Sequence, residues 1–252
     1  MFSFFPLFSS YIYTLCSTRP SLIYSTNRVL RDFENDGVVY LELRTTPRAS
    51  ASLSKEQYVA TILSCIEGHG RASMKTFLIL SIDRRNTIVE AMKVVELAIE
   101  YCHRGVVGVD LCGDPTKGDV SIFRDAFAKA KQHGLGITLH FAEVPASSTI
   151  QELETLLSFM PDRLGHLCHV PEHFKQEIIR MRCGLELCVS CNVLAKLIEG
   201  GIADHHFGFW KETNCPLALC VSVGQANHLY PADFGRPTTL VCSVAASLTS
   251  TS

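Results

Sequence analysis

Val106-Val107-Gly108-Val109-Asp110-Leu111-Cys112-Gly113-Asp114 is a short apolar run that ends in a polar cluster. The pattern repeats along the chain. The runs are Val38–Leu43, Phe77–Ile82, Val106–Leu111, Ile137–Ala142, Arg163–Leu167, Leu185–Val189 and Leu217–Val223. Their starts are mostly about thirty residues apart, the length of a βα unit. Phe77-Leu78-Ile79-Leu80 is apolar without alternation, as expected of strands covered on both faces of a parallel sheet. Met92, Val95, Ile99 and Cys102 predict one helical stripe, and Phe123, Phe127 and Ala130 another. No G-x-G-x-x-G follows a strand, and Gly113–Asp119 lacks the order of a Walker loop. Seven strands without a phosphate loop favour a TIM (β/α)8 barrel, incomplete by one strand, over an open doubly wound sheet.

The chain has 252 residues, 47% apolar and 19% charged, which is a globular composition of one domain or two small ones. A net charge of −2 gives no basic excess for nucleic acid or an anionic membrane. No run reaches the ~18 apolar residues of a membrane span. Eleven scattered cysteines, an odd number, read as reduced thiols of a cytosolic protein. Residues 1–24 form an atypical N-terminal segment. Pro6, Ser9 and Ser10 interrupt its apolar run and the first base is Arg19, so it reads as a truncated or alternative start rather than a secretory signal. Residues 25–223 form the barrel domain, and residues 224–252, with no sustained period, read as a disordered tail.

Polar groups concentrate after the strands, where parallel α/β folds place their active sites. His140 closes one strand, with Glu143 three residues on, and His166 closes the next. Two imidazoles and a carboxylic acid suit metal-assisted hydrolysis, and equally suit hydrogen-bonded core positions. Cys188-Val189-Ser190-Cys191 is a lone C-x-x-C without a second pair; it reads as two small apolar residues and lacks the helix-start position that acidifies a thiol. His205-His206-Phe207-Gly208-Phe209-Trp210 reads as an aromatic helix packed outside the barrel.

Tyr40–Arg48, Gly108–Asp114, Leu139–Glu143, Arg163–His166, Leu185–Cys188 and His205–Trp210, in this order, resemble the adenosine and AMP deaminase family, over roughly Val29 to Cys220. The resemblance implies a (β/α)8 barrel with one zinc and hydrolytic deamination of a purine nucleoside monophosphate, in the branch acting on N6-methyl-AMP, by a monomer. It makes His140 a zinc ligand and Glu143 the acid that protonates the purine ring nitrogen. His166 becomes the histidine that orients and deprotonates the attacking water, and Gly113 the glycine whose backbone meets the purine edge. Thr45, Thr46, Pro47, Arg48 and Asp83 fall where the family contacts substrate. Two departures stand out. The family's His-x-His, which supplies two zinc ligands from its first strand, is absent from the sequence. Val221-Ser222-Val223 follows Cys220 where the family has Asp-Asp. One ligand of four predicts that this chain does not retain zinc and is inactive by itself, with weak nucleotide binding or a partner role as the alternative.

Overall fold

The structure is a computed structural model; it describes residues 15–70 and 73–220 and the backbone of residues 242–245. The seven predicted strands are all present: β1 (Tyr40–Thr45), β2 (Lys75–Asp83), β3 (Val106–Cys112), β4 (Gly136–Phe141), β5 (Arg163–His166), β6 (Gly184–Leu187) and β7 (Leu217–Leu219). An eighth, β8 (Cys242–Ala245), lies in the segment read as a disordered tail; the rest of that segment from residue 224, and residues 1–14, lie outside the described residues. The helices are α1 (Arg19–Asn35), α2 (Lys55–His69), α3 (Ile88–Glu100), α4 (Arg124–Gln132), α5 (Ile150–Ser158), α6 (Glu172–Met181), α7 (Val189–Leu194) and α8 (Phe207–Trp210). Helix α1 runs across the boundary drawn after residue 24.

The local signals for these helices are specific. Thr18, Ser54 and Thr87 each accept from the backbone of the third helical residue, while the side chains of Ser21, Gln57 and Glu90 return the bond. These capping boxes satisfy two free donors per helix start. The predicted stripe Phe123, Phe127 and Ala130 is fully buried. The stripe predicted on α3 is rotated. Ala91, Val94, Val95, Leu97 and Ala98 face the core, Met92 and Ile99 sit at its edge, and Cys102 lies beyond the helix, exposed. Small and β-branched residues, rather than the larger ones, let α3 lie close on the sheet.

All strands are parallel, in the order β7-β6-β5-β4-β3-β2-β1-β8. Strand β8 adds along the edge of β1 that a preceding strand would take, with Leu41 opposite Cys242 and Arg44 opposite Ala245. The sheet cannot be flat. Arg44 on β1 reaches Glu186 on β6 at 2.5 Å, and Arg163 on β5 reaches Glu42 on β1 at 2.7 Å. Strands five places apart in a flat sheet would be separated by roughly 24 Å. The sheet therefore curls until its inner face meets itself, which is the open, barrel-like arrangement.

That inner face is polar. Glu42, Arg44, Ser81, Asp110, Thr138 and Glu186 are all buried, and they alternate with Leu41, Leu43, Ile82, Leu111, Ile137, Leu139 and Leu185 packed under the helices. Arg44 also pairs with Asp110 at 3.5 Å, and Arg163 with Glu186 at 3.1 Å. Ser81 and Thr138 donate to Asp110 and Glu186. Burial alone would lift the carboxyls of Asp110 and Glu186; the Arg44 guanidinium, joined by His140 at Asp110 and by Arg163 at Glu186, outweighs it and holds both below the ordinary range. Arg44→Ala would leave two buried carboxylates without their shared cation. Denaturant unfolding of this variant should show a loss of about 3–5 kcal/mol, and an unchanged midpoint would mean that the pairs do not hold the curl.

Candidate active site

The strand-end residues separate into two groups on the C-terminal rim of the sheet. The first lies after β1, β2 and β3. Thr45 is buried, and its hydroxyl shares a hydrogen bond of 2.9 Å with Tyr58 of α2, so it anchors the loop rather than facing its opening. Thr46 Oγ1 lies 3.4 Å from Cys112 Sγ, Pro47 is buried, and Arg48 is half-buried close enough to Asp83 and Cys112 to act on both electrostatically. Asp83 accepts from the Arg85 backbone and guanidinium at 2.6–2.9 Å. Burial pushes its carboxyl up, but the Arg85 bonds and the Arg48 charge hold it below the usual value. Gly113 turns the chain here with φ +106, and a Cβ on it would sit 2.7 Å from Asp83 Oδ1. Both facts demand glycine.

The second group follows β4 and β5. His140 Nδ1 lies 3.0 Å from Asp110 Oδ1. A carboxylate at Nδ1 makes that nitrogen the donor and leaves Nε2 with the lone pair. Burial pulls the His140 pKa down, and Asp110 more than reverses this. The His140 and His166 rings are 5.1 Å apart between centroids. His166 Nε2 faces Glu143 Oε1 at 3.7 Å, too far for a direct hydrogen bond. Glu143 is buried, and its other oxygen has no hydrogen-bond partner among the described residues. Burial keeps the His166 pKa below its ordinary value. The backbone bends sharply to deliver these groups. Ala142, His166 and Leu167 all have positive φ, at 50, 65 and 57 degrees, a conformation that non-glycine residues hold only under constraint.

Four contributors were not singled out by sequence. Asp110 holds His140. Asn192, fully buried in the middle of α7, spans from His166 Nδ1 (2.9 Å) to His205 Nε2 (3.0 Å). His205, read as part of an outer aromatic helix, is buried beside Asn192, and His206 Nε2 donates to the His166 carbonyl at 2.6 Å. Trp210 is buried too, at 1% exposure, so the segment's first half completes the site while its end packs into the core. The lone C-x-x-C also differs from expectation. Cys188 does occupy the cap of a helix, the short α7, yet its thiol is pushed well up by a hydrogen bond with Cys220 and by burial. Cys191 is raised to about 11 by burial. Neither is an acidic nucleophile. No cysteine among the described residues is disulfide-bonded, and no helix there is long and apolar enough to cross a membrane.

The donor set can be compared with what zinc requires. A catalytic zinc takes three protein ligands. Among the described residues no three His, Cys, Asp or Glu side chains converge to hold a metal ion, and His140 Nε2 stands as a single donor. The described residues do not fit the zinc centre that the resemblance implies.

The adenosine deaminase family model matches residues 1–221. The chain belongs to the adenosine deaminase family. The N6-mAMP deaminase of Arabidopsis thaliana is 35% identical over 234 residues, covering 83% of this chain and 65% of that protein. Two structures of the Arabidopsis ADAL protein superpose closely. The GMP complex has a TM-score of 0.81, with 36% identity over 86% of this chain and 65% of the other. The IMP complex has a TM-score of 0.79, with 35% identity over 85% and 65%. The chain thus spans slightly less than two thirds of the length of these relatives.

The histidine environments set a pH dependence with a defined sign. Burial, first among the causes, lowers His205 and His206 to about 4, and lowers His166 as well. The unfolded chain, with histidines near ~6.5, therefore binds more protons as pH falls below that value, and the folded state loses stability. His140 carries the opposite sign: its raised pKa contributes stability below ~6.5 that is lost as pH rises through the folded value. Three depressed groups outweigh one raised group. The urea midpoint should be lower at pH 5 than at pH 7, and His206→Gln should flatten the difference; an equal or higher midpoint at pH 5 would contradict this arrangement.

Proposed function

We propose that the two rim groups together bind a purine nucleoside 5′-monophosphate with a substituted 6-amino group, N6-methyl-AMP being the substrate of this lineage. The observation that carries the reading is their continuity. Arg48, Thr46, Asp83 and Gly113 meet Cys112 on β3, and Asp110 on the same strand holds His140 beside His166 and Glu143. In this reading Arg48, with the Thr46 hydroxyl and the loop at Pro47 that Thr45 anchors, takes the phosphate. A planar guanidinium suits phosphate oxygens. The Gly113 backbone lies along the purine edge. The complexes of the Arabidopsis relative with IMP and GMP support a nucleotide of this class.

The reaction proper to the lineage is hydrolysis: N6-methyl-AMP and water give IMP and methylamine. In this reading Glu143 gives a proton to the purine ring nitrogen, and His166 orients the water that adds to the adjacent carbon. Because His140 is a lone metal donor among the described residues, we infer for the 252-residue chain alone binding without turnover. Its role is then that of a nucleotide binder.

Two measurements separate these readings. Titration calorimetry should detect GMP and IMP binding to the purified chain, and Arg48→Ala should weaken GMP binding by roughly 10–100-fold while leaving guanosine unchanged. Equal losses for both ligands would make Arg48 structural and count against the nucleotide reading. Incubation with N6-methyl-AMP and added zinc should yield no IMP above a His140→Ala control. Release of IMP and methylamine above that control would establish turnover, and failure to bind either nucleotide would remove both readings.

A further inference from the structure

Three polar groups run in line behind His166. Phe207 N–H donates to His205 Nδ1 at 2.9 Å, His205 Nε2 lies 3.0 Å from the amide end placed as Asn192 Nδ2, and the end placed as Oδ1 lies 2.9 Å from His166 Nδ1. Only one of these groups has a polarity that cannot change. A backbone N–H is always a donor, so His205 Nδ1 must carry its lone pair. A neutral imidazole with a lone pair on Nδ1 has its proton on Nε2. Burial lowers His205 to about 4, so the ring is neutral near pH 7. Nε2–H therefore donates to Asn192, and the Asn192 atom facing His205 must be the carbonyl oxygen. The two ends of an amide exchange by a half-turn, and their assignment follows from their partners. The amide NH2 then faces His166 and donates to Nδ1.

We propose that Phe207 N–H, acting through His205 and Asn192, fixes the proton of His166 on Nε2, making Asn192 and His205 positioning residues for this histidine. His166 then presents an N–H, not a lone pair, toward Glu143. The structure supplies a reason for the rigidity of the chain. Asn192 is completely buried, His205 is 4% exposed, and His206 pins the His166 carbonyl from the same turn. Neither ring can turn without leaving a buried polar atom unpaired. The opposite tautomer needs an acceptor at His166 Nδ1, and an amide held by His205 Nε2–H does not offer one. The inference rests on the proposed nucleotide site and refines it: there His166 holds a water or a ligand atom by donating to it from Nε2.

The test needs neither metal nor substrate. Long-range proton–nitrogen correlation spectra of the full chain, labelled with 15N-histidine and recorded metal-free at pH 7.5, distinguish protonated from lone-pair ring nitrogens. The His166 signals are assigned by their loss in His166→Phe. The expected result is a protonated Nε2 and a lone-pair Nδ1. Asn192→Asp replaces the amide by two acceptors, so the protonated signal should move to Nδ1. A protonated Nδ1 in the unsubstituted chain, or protons on both nitrogens, overturns the proposal whether or not the variant folds. A correct tautomer together with absent nucleotide binding would instead overturn the proposed function and leave this inference standing.

Discussion

The Arg44 guanidinium organises this molecule. It leaves β1, crosses the inside of the sheet and lies between Asp110 on β3 and Glu186 on β6. A single cation is shared between two buried carboxylates, and Arg163 shares Glu186 and takes Glu42. Buried ion pairs seldom stabilise a fold beyond what apolar side chains of the same shape would. Their value here is geometric. Hydrogen-bond lengths set the distance between strands that do not pair, and so the radius of the curl. Asp110 is also the partner that orients His140. The layer that shapes the sheet and the group that aims one site histidine are therefore one network, and a change in the first is felt in the second.

The two site histidines are held by separate means. His140 faces a carboxylate anchored in the charged layer, whereas His166 faces a neutral amide and a second imidazole from the β6–β7 connection. The Asp110 carboxylate raises the affinity of His140 for a proton; at His166 burial outweighs the opposing pull of Glu143 and lowers it. Rings 5.1 Å apart thus differ in basicity because their partners differ in charge. Pairs of titratable groups pushed apart in this way are what acid–base chemistry in one pocket requires.

Strands β1 to β7, the order of elements and the placing of polar clusters were legible because short apolar runs at βα spacing leave few other arrangements. The second periodicity was legible too, but easy to pass over: Leu41-Glu42-Leu43-Arg44 and Ile137-Thr138-Leu139-His140 alternate strictly. That alternation announces a sheet with a polar inner face, against the apolar-throughout pattern of Phe77-Leu78-Ile79-Leu80. His140, Glu143 and His166 could be placed from strand ends. Asp110 could not be singled out, since a buried carboxylate inside an apolar run has no local signature, and its partner Arg44 is 66 positions away. Asn192 and His205 were hidden for a related reason. They lie in short helical turns whose sequence suggests packing, and their role arises only when the β6–β7 connection folds back over β5. Strand β8 has four residues and no amphipathic pattern to mark it.

The parallel pairing of β8 with β1 has a kinetic side. Strands β1 to β7 each pair with a neighbour one βα unit away in sequence, so their contacts close loops of about thirty residues. Leu41 and Cys242 close one of about two hundred. By the logarithmic law of loop closure this costs roughly 1.6 kcal/mol more entropy than a single βα step. A curled sheet built from β1 onward can assemble by successive local additions, whereas its last strand must wait for the whole chain. Among the strand pairings described, the one at the β1 edge is consequently the last that a growing chain can complete, since it needs residue 245.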